Sequence, residues 1–309
     1  MNINWFPGHM HKATKEIRKL LPGIDIIIEV LDARLPYSSQ NPVIAQFSRE
    51  KANIKLLNKS DLADPETTAQ WITHFNSIDN TRALAVSIHE PDSIHQLLSL
   101  CRKLAADKKD SPQGIHALIT GIPNVGKSSI INLLAGRMIA KTGNEPAVTK
   151  AQQRIKIADD LTLHDSPGIL WSRFDNQNSA YRLAASGAIK DTAISHDDIA
   201  FFTADYLLNN YPQALMTRYK LDSLPETELE FLETIGRQRG CLGGGGLVDL
   251  DKIGRLLINE LRGGILGRIS METPAMAIQE QKDTEILLAK KAEEKAAKKA
   301  QRKKQFKHR

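Results

Sequence analysis

Short apolar segments bounded by loop residues alternate with helical patterns along the first half of the chain. The apolar segments are rich in β-branched residues, as buried strands are, and apolar positions in the segments between them recur with helical spacing. This alternation predicts an α/β fold, a doubly wound and mostly parallel sheet with helices on both faces. The predicted strands are Ile24–Leu31, Asn53–Leu57, Arg82–Val86, Ile115–Thr120, Gln153–Ala158 and Leu161–His164, and the predicted helices are Pro65–Asn76 and Pro91–Ala106.

The pattern changes after Trp171, where helical segments succeed one another without strands. We therefore expect an α/β domain over residues 1–174 and a smaller all-α domain over residues 175–280. Residues 281–309 are rich in Ala, Lys and Glu but have little apolar face, which predicts an exposed tail. The helices predicted for the second domain are Ser179–Ile189, Asp197–Tyr211, Glu226–Gly236 and Asp249–Leu261.

The positive charge of the chain is concentrated in the tail. The 309 residues include 42 Lys and Arg against 36 Asp and Glu, a net charge of +6. Residues 281–309 alone hold 11 basic and 4 acidic residues, so residues 1–280 are close to neutral. An anionic partner such as RNA is therefore expected to meet the tail; a solvated charged surface is the alternative. A basic stretch on a predicted N-terminal helix, at Lys12, Lys15, Arg18 and Lys19, offers a second contact.

Composition excludes several classes of protein. Two cysteines, Cys101 and Cys241, are too few for a disulfide scaffold or a Cys-rich zinc site. The longest apolar stretch, Ile24–Leu31, contains Asp25 and Glu29 and cannot span a bilayer. The first 21 residues are too polar for a secretory signal. We expect a cytoplasmic, monomeric protein without a membrane partner.

A phosphate-loop motif runs from Gly121 to Ser128, in the order Gly-Ile-Pro-Asn-Val-Gly-Lys-Ser. A predicted strand precedes it and a predicted helix comes after it, which is the context that phosphate binding requires. Lys127 would place its charge at the β- and γ-phosphates, and Ser128 its hydroxyl at Mg²⁺. An ordinary glycine-rich turn is the alternative, but the full motif in this context favours nucleotide binding. The predicted contacts are Gly121, Asn124, Val125, Gly126, Lys127, Ser128 and Ser129.

A second motif distinguishes GTP from ATP. Asn58-Lys59-Ser60-Asp61 follows a predicted strand. The Asp61 carboxylate can accept hydrogen bonds from guanine N1–H and the 2-amino group, a donor pair that adenine lacks. Asn58 would meet the N7/O6 edge, the Lys59 stem would lie over the base, and the Ser87 backbone N–H would reach guanine O6. Alone, this tetrapeptide is often a turn with an Asp helix cap; together with the phosphate loop it indicates guanine.

A third group of residues has the order expected of a γ-phosphate sensor. Asp165-Ser166-Pro167-Gly168 follows a predicted short strand. Asp165 would hold Mg²⁺ through water, and the Gly168 N–H would sense the γ-phosphate. Thr149 lies between this motif and the phosphate loop, where it could close on Mg²⁺. Such short motifs are common by chance, so the evidence lies in their order and spacing.

The order of the motifs is circularly permuted. A small GTPase has the phosphate loop, switch Thr, DxxG, NKxD and the Ser-containing loop, whereas this chain has NKSD, Ser87, phosphate loop, Thr149 and DSPG. The sequence thus predicts a circularly permuted P-loop GTPase fold that uses GTP, GDP and Mg²⁺. DSPG then leads directly into the helical domain, so a switch that reorders on hydrolysis would pull on that domain.

With these motifs the sequence resembles the circularly permuted GTPases of the YlqF/RbgA ribosome-biogenesis family. The resemblance covers about residues 3–275 and leaves out the tail. It implies an assembly factor for the precursor of the large ribosomal subunit whose helical domain contacts rRNA. It extends through Asn4-Trp5-Phe6-Pro7-Gly8-His9-Met10, Asp32-Ala33-Arg34, Pro36, Asn41-Pro42, Arg239-Gly240-Cys241 and Gly267-Arg268.

Two departures from a Ras-like site bear on catalysis. Ile169 stands where a water-positioning Gln would follow the glycine, so slow intrinsic turnover is expected. In line with the resemblance, His9 is the candidate for positioning water; fixing a turn or contacting RNA are its alternatives. No arginine finger is apparent, and Asn124 suggests a K⁺ ion instead, with loop stabilisation as the alternative. The predicted catalytic residues are His9, Lys127, Thr149 and Gly168.

Two other functions stay open on sequence alone. One is a GTP-dependent RNA-binding scaffold that does not hydrolyse GTP. The other is a GTPase related to tRNA modification or acting at a membrane, against which the missing membrane segment and zinc ligands count.

Overall fold

A computed structural model describes residues 8–47, 51–108, 111–140, 153–171 and 174–307. Six strands form one sheet in the order β3-β2-β1-β4-β6-β5. All neighbouring strands are parallel except β5, which pairs antiparallel with β6 at one edge. The strands are β1 (Ile26–Asp32), β2 (Ala52–Asn58), β3 (Thr81–Ala85), β4 (Ile115–Gly121), β5 (Gln153–Ala158) and β6 (Leu161–Asp165).

The predicted mostly parallel sheet is confirmed, and each predicted strand lies within two residues of an observed one at either end. Strands β1 and β4 are nearly continuous apolar runs because they lie in the middle of the sheet, where both faces are covered. Helix α3 packs on β3, and α4 and α5 pack on β4. The helices of this half are α1 (Gly8–Leu20), α2 (Pro42–Phe47), α3 (Pro65–Asn76), α4 (Pro91–Leu104) and α5 (Lys127–Ala135).

The second half is helical, as expected. Helix α7 is central, since it contacts α6, α8, α9 and α10. Side-chain caps begin four of these helices: Asn176 precedes α6, Thr227 precedes α9, Asp249 precedes α10 and Thr273 precedes α11. The helices are α6 (Gln177–Ser186), α7 (His196–Asn210), α8 (Pro212–Tyr219), α9 (Glu228–Gln238), α10 (Leu250–Arg262) and α11 (Pro274–Lys307).

Two helices were missing from the sequence prediction, α2 and α8. Both are short, with 6 and 8 residues, and both begin at a proline that marks the first helical turn. So short an apolar stretch has little periodicity to detect.

Helix α11 runs across residue 280, where the tail was expected to begin, and includes most of the basic tail. None of the helices in the described ranges is long and apolar enough to cross a membrane.

The segment that leads into α11 returns to the α/β half and packs against it. Trp71 Nε1 donates to the carbonyl of Glu272 at 3.1 Å, and Ser38 N donates to the Glu272 carboxylate at 2.8 Å. Arg182 of α6 is buried and contacts both Glu272, at 3.3 Å, and Glu280, at 2.6 Å. A buried ion-pair cluster thus joins α6, α11 and the loop after β1.

Candidate nucleotide-binding site

The predicted motifs meet at one edge of the sheet. Asp32, Asn58, Gly121 and Asp165 are the last residues of β1, β2, β4 and β6, which are four adjacent parallel strands. Register pairs Asp32 with Asn58 and Ile119 with Asp165. Because the carboxyl ends of parallel strands share an edge, motifs far apart in sequence become neighbours, and ligands of open α/β sheets bind at this edge.

The phosphate loop connects β4 to α5 and depends on glycine at two points. Gly126 has φ +93°, and a Cβ there would collide with the side-chain nitrogen of Asn58. A Cβ on Gly121 would lie 2.7 Å from the Val30 carbonyl oxygen. Ser128 and Ser129 come next, on the first turn of α5, half-buried. The loop therefore leads to a helix N-terminus with its amides available to phosphate.

The guanine motif is joined to the phosphate loop. Asn58 Nδ2 donates to the Val125 carbonyl at 2.7 Å, which uses one of its two hydrogens. Asp61 Oδ1 accepts from Ser87 Oγ at 2.7 Å, so the predicted guanine-binding residues of the two loops are adjacent.

The backbone N–H of Ser87 has a partner that sequence reasoning missed. It donates to Ser93 Oγ at 3.2 Å rather than being unpaired. Ser93 is in the first turn of α4. A serine placed there has no motif of its own, so no local signal indicated this contact.

Lys127 and Asp165 form a buried ion pair in which Lys127 Nζ donates to Asp165 Oδ1. Burial lowers the pKa of Lys127 and raises that of Asp165, against their mutual attraction. In a nucleotide complex, phosphate oxygens would replace Asp165 as the partner of Lys127, and a cation would replace Lys127 as the partner of Asp165.

The residues predicted to hold Mg²⁺ fit that ion where the structure describes them. Asp165 Oδ2 is buried and has no hydrogen-bond partner among the described residues. Ser128 offers a hydroxyl at the start of α5. A carboxylate oxygen without a described partner and a serine hydroxyl are hard oxygen ligands, which Mg²⁺ prefers. Thr149, the third predicted ligand, lies outside the described residues.

The DSPG motif packs directly on the phosphate loop. A Cβ on Gly168 would lie 3.1 Å from Pro123 Cα, so glycine permits the close approach. Ile169 N donates to the Gly121 carbonyl at 3.2 Å, and the Ile169 carbonyl accepts from Asn41 Nδ2 at 3.1 Å. Ile169 is 1% exposed, so its side chain belongs to the core and cannot position water.

His9 lies in the first turn of α1. Its side chain lies outside the described residues, so its predicted catalytic role stays a prediction.

A charged cluster next to the guanine motif contains two residues, Asp32 and Arg34, that were not predicted as part of the site. Asp32 accepts from Arg34 Nε at 2.9 Å and from Lys59 Nζ at 3.0 Å. Burial alone would raise the pKa of Asp32, but the charges of Arg34 and Lys59 hold it well below its ordinary value. In the sequence, Asp32 and Arg34 were singled out only as part of the family resemblance. Lys59, in contrast, is the residue predicted to lie over the base.

Guanine-nucleotide motifs in permuted order on a doubly wound sheet define the class: a circularly permuted P-loop GTPase. A family profile described as "50S ribosome-binding GTPase" matches residues 116–232. The chain is 43% identical to "Ribosome biogenesis GTPase A" of Bacillus cereus, covering 92% of this chain and 98% of that protein. It is 31% identical to the protein of that name from Thermotoga maritima, over 88% and 95% of the two chains.

Solved structures agree with the sequence relatives. The GDP-bound structure of TM YlqF is similar to this chain with a TM-score of 0.62 and 30% identity, over 84% of this chain and 99% of that one. The GNP-bound YlqF from T. maritima is similar with a TM-score of 0.60 and 29% identity, over 85% and 98%. The chain belongs to the ribosome biogenesis GTPase A (YlqF/RbgA) family, and it is a GTP hydrolase that binds guanine nucleotides.

Replacing Asp61 by asparagine should exchange guanine for xanthine as the preferred base. Asp61→Asn removes a charged acceptor and sets an NH₂ group against the guanine 2-amino group, whereas xanthine has a carbonyl oxygen there. Two hydrogen bonds to a charged group are at stake, so GDP affinity should fall about a hundredfold or more. Calorimetric titration with GDP and XDP measures both.

Ser87→Ala is the matched control, since it removes the hydroxyl that donates to Asp61 but leaves the Asp61 carboxylate itself unchanged. It should weaken GDP binding far less and leave XDP binding poor. Unchanged GDP affinity in Asp61→Asn would contradict the assignment of Asp61 to the base.

Proposed function

We propose that this chain is a GTP-driven assembly factor of the large ribosomal subunit, which binds the subunit precursor and its rRNA with GTP and leaves after hydrolysis. The observation that carries the proposal is 43% identity, over 92% of the chain, to a protein named for ribosome biogenesis. The site geometry supports the nucleotide half, because the Asn58–Val125 contact joins base recognition to phosphate recognition.

In this proposal the phosphate loop and Lys127 bind the β- and γ-phosphates. Ser128 and Thr149 would ligate Mg²⁺, and Asp165 would hold it through water; the ion would offset phosphate charge as the γ-phosphate leaves. The Gly168 N–H, next to Pro123, would donate to the γ-phosphate. His9 would orient the attacking water, since the side chain of Ile169 is in the core.

Helix α6 supports coupling between hydrolysis and the helical domain. The chain passes from Gly168 into α6 within about ten residues, and Gly187 at the other end of α6 accepts a hydrogen bond from Asn124 Nδ2 at 2.8 Å. Helix α6, about 15 Å long, thus leads from the segment after the predicted γ-phosphate sensor to a contact with the phosphate loop. Loss of the γ-phosphate would release one end of that helix and shift the helical domain.

The RNA-binding part of the proposal rests on surface charge. Lys15, Arg18 and Lys19 are exposed on α1, and Arg18 also interacts with another residue of the chain. We propose that residues 175–280 recognise folded rRNA and that the tail, residues 281–309, adds contacts to phosphates. Such a partner places the chain in the cytoplasm.

Binding to the large subunit should depend on the γ-phosphate. Sedimentation of the full chain with isolated large subunits should show most of the protein bound with a non-hydrolysable GTP analogue and little with GDP. A tenfold difference in affinity needs only about 1.4 kcal/mol of coupling. Equal binding with analogue, GDP and no nucleotide would contradict the switch, and absence of stimulated GTP turnover would favour a scaffold.

The water-positioning role of His9 predicts a specific kinetic defect. His9→Ala should lower subunit-stimulated GTP turnover about a hundredfold and leave GTP affinity nearly unchanged, because general acid–base catalysis contributes at least that much. His11→Ala, on the same helix but more than half a turn around it, is the matched control. Parallel loss of turnover and affinity would show that His9 has a structural role.

A K⁺ requirement is expected if Asn124 supplies an ion ligand. Its hydrogen bond to Gly187 fixes the plane of the carboxamide, whose oxygen is a suitable ligand for a hard cation. Turnover should be at least about tenfold faster in KCl than in NaCl of equal ionic strength, as for loss of one electrostatic stabiliser. Asn124→Ala should abolish the difference; equal rates in the wild-type protein would leave Asn124 a loop residue.

A further inference from the structure

A cleft of about 690 Å³ beside the phosphate loop is lined by both halves of the chain. This volume is within the range of small-molecule sites. The α/β half contributes Arg34, Lys59 and Asn124. The helical half contributes the turn after α6 and the end of α10, with Gly187, Ile189, Lys190, Asp191, Thr192, Asn259, Arg262 and Gly263 among its lining residues.

The α/β side of this cleft includes two of the predicted nucleotide-binding residues, Lys59 and Asn124. Asn124 is in the phosphate loop and Lys59 is in the guanine motif, so the cleft lies between the predicted places of the phosphates and of the base. A nucleotide that contacts both Lys59 and Asn124 would lie along the cleft, with the helical half on its other side.

That opposite wall is attached to the α/β half at three points. Asn124 Nδ2 donates to the Gly187 carbonyl at 2.8 Å. Arg34 Nη1 donates to the carbonyls of Leu261 and Arg262, each at 3.4 Å, at the end of α10. Arg268 Nη2 donates to the Ser60 carbonyl at 2.9 Å. The helical wall is thus held beside the nucleotide loops by direct contacts.

The cations around the cleft differ in whether their charge is already paired. Arg34 and Lys59 share Asp32, and Arg262 pairs with Asp191 at 2.9 Å. Lys190 is half-buried and lines the cleft, but its side chain makes no hydrogen bond or ion pair to any residue in the described part of the chain. An ammonium group in such a position is suited to an anionic ligand.

We propose that the helical domain forms part of the nucleotide site and that Lys190 binds a phosphate group of the guanine nucleotide. The inference rests on the proposed binding of GTP and GDP at this sheet edge and adds a ligand from the second domain. Lys190 lines the same cleft as the phosphate-loop residue Asn124, which favours a nucleotide over rRNA as its ligand. The nucleotide then bridges the two domains, and its release depends on the helical domain as well as on the phosphate loop.

Calorimetric titration of the full chain with GDP and Mg²⁺ tests this assignment. Lys190→Ala should weaken GDP binding about tenfold, the effect of losing one hydrogen bond to a charged group. Lys190→Arg keeps the charge and should stay within about threefold of the wild-type affinity. Lys252→Ala is the matched control, because it removes the same charge from an exposed position about 15 Å along α10 from Arg262.

GDP affinity in Lys190→Ala equal to that of the wild type and of Lys252→Ala would overturn the inference. So would an unchanged GDP affinity together with weaker sedimentation on large subunits, since Lys190 would then be an RNA contact. The proposed nucleotide site itself fails by a different result, namely GDP binding that is indifferent to Asp61→Asn. Thermal unfolding without nucleotide should match the wild type in Lys190→Ala and Lys190→Arg, because Lys190 has no described side-chain partner to lose.

Discussion

One buried carboxylate, that of Asp32, organises the junction between the nucleotide loops and the helical domain. It is 1% exposed at the end of a central strand, where an unpaired negative charge would be severely destabilising. Arg34 and Lys59 supply its counter-charges and are thereby held in place. Lys59 is fixed beside the base-binding loop, and Arg34 can extend its remaining nitrogen to the carbonyls that end α10. Those carbonyls carry the negative end of a helix dipole, which a guanidinium suits.

The parallel sheet explains why the permuted order of motifs is harmless to the site. The NKSD motif begins at the end of β2 and the phosphate loop at the end of β4, and only β1 lies between these two strands. The Asn58–Val125 contact depends on where these strands lie in the sheet and not on their order along the chain. Permutation does change the element that the chain enters after DSPG. Strand β6 leads to α6 rather than to another strand, so the DSPG motif and the helical domain share one continuous segment.

Local patterns predicted the features that depend on local structure. The strands were visible as β-branched apolar runs, and the phosphate loop and NKSD motif as fixed spacings between neighbours in sequence. The contacts of Arg34 with Leu261 and of Asn124 with Gly187 join residues more than 60 positions apart, and no spacing encodes them. Lys190 could not be distinguished from any other surface lysine until the fold placed it on the cleft. Ser93 and helices α2 and α8 were missed because each signal extends over only a few residues.

The ion-pair cluster at the domain junction limits how the helical domain can move. Arg182 of α6 is buried between Glu272 and Glu280, and separating such charges without replacement costs about 3–5 kcal/mol. The Asn124–Gly187 hydrogen bond, at the other end of α6, is neutral and half-buried, so breaking it costs about 1 kcal/mol. Of these two contacts, the hydrogen bond at Gly187 is the less costly to break, so a displacement of α6 that keeps the ion-pair cluster is favoured over one that separates it. Such a displacement would loosen the wall of the cleft at the phosphate loop, where Arg34 still contacts the end of α10, while the junction at Glu272 stays closed.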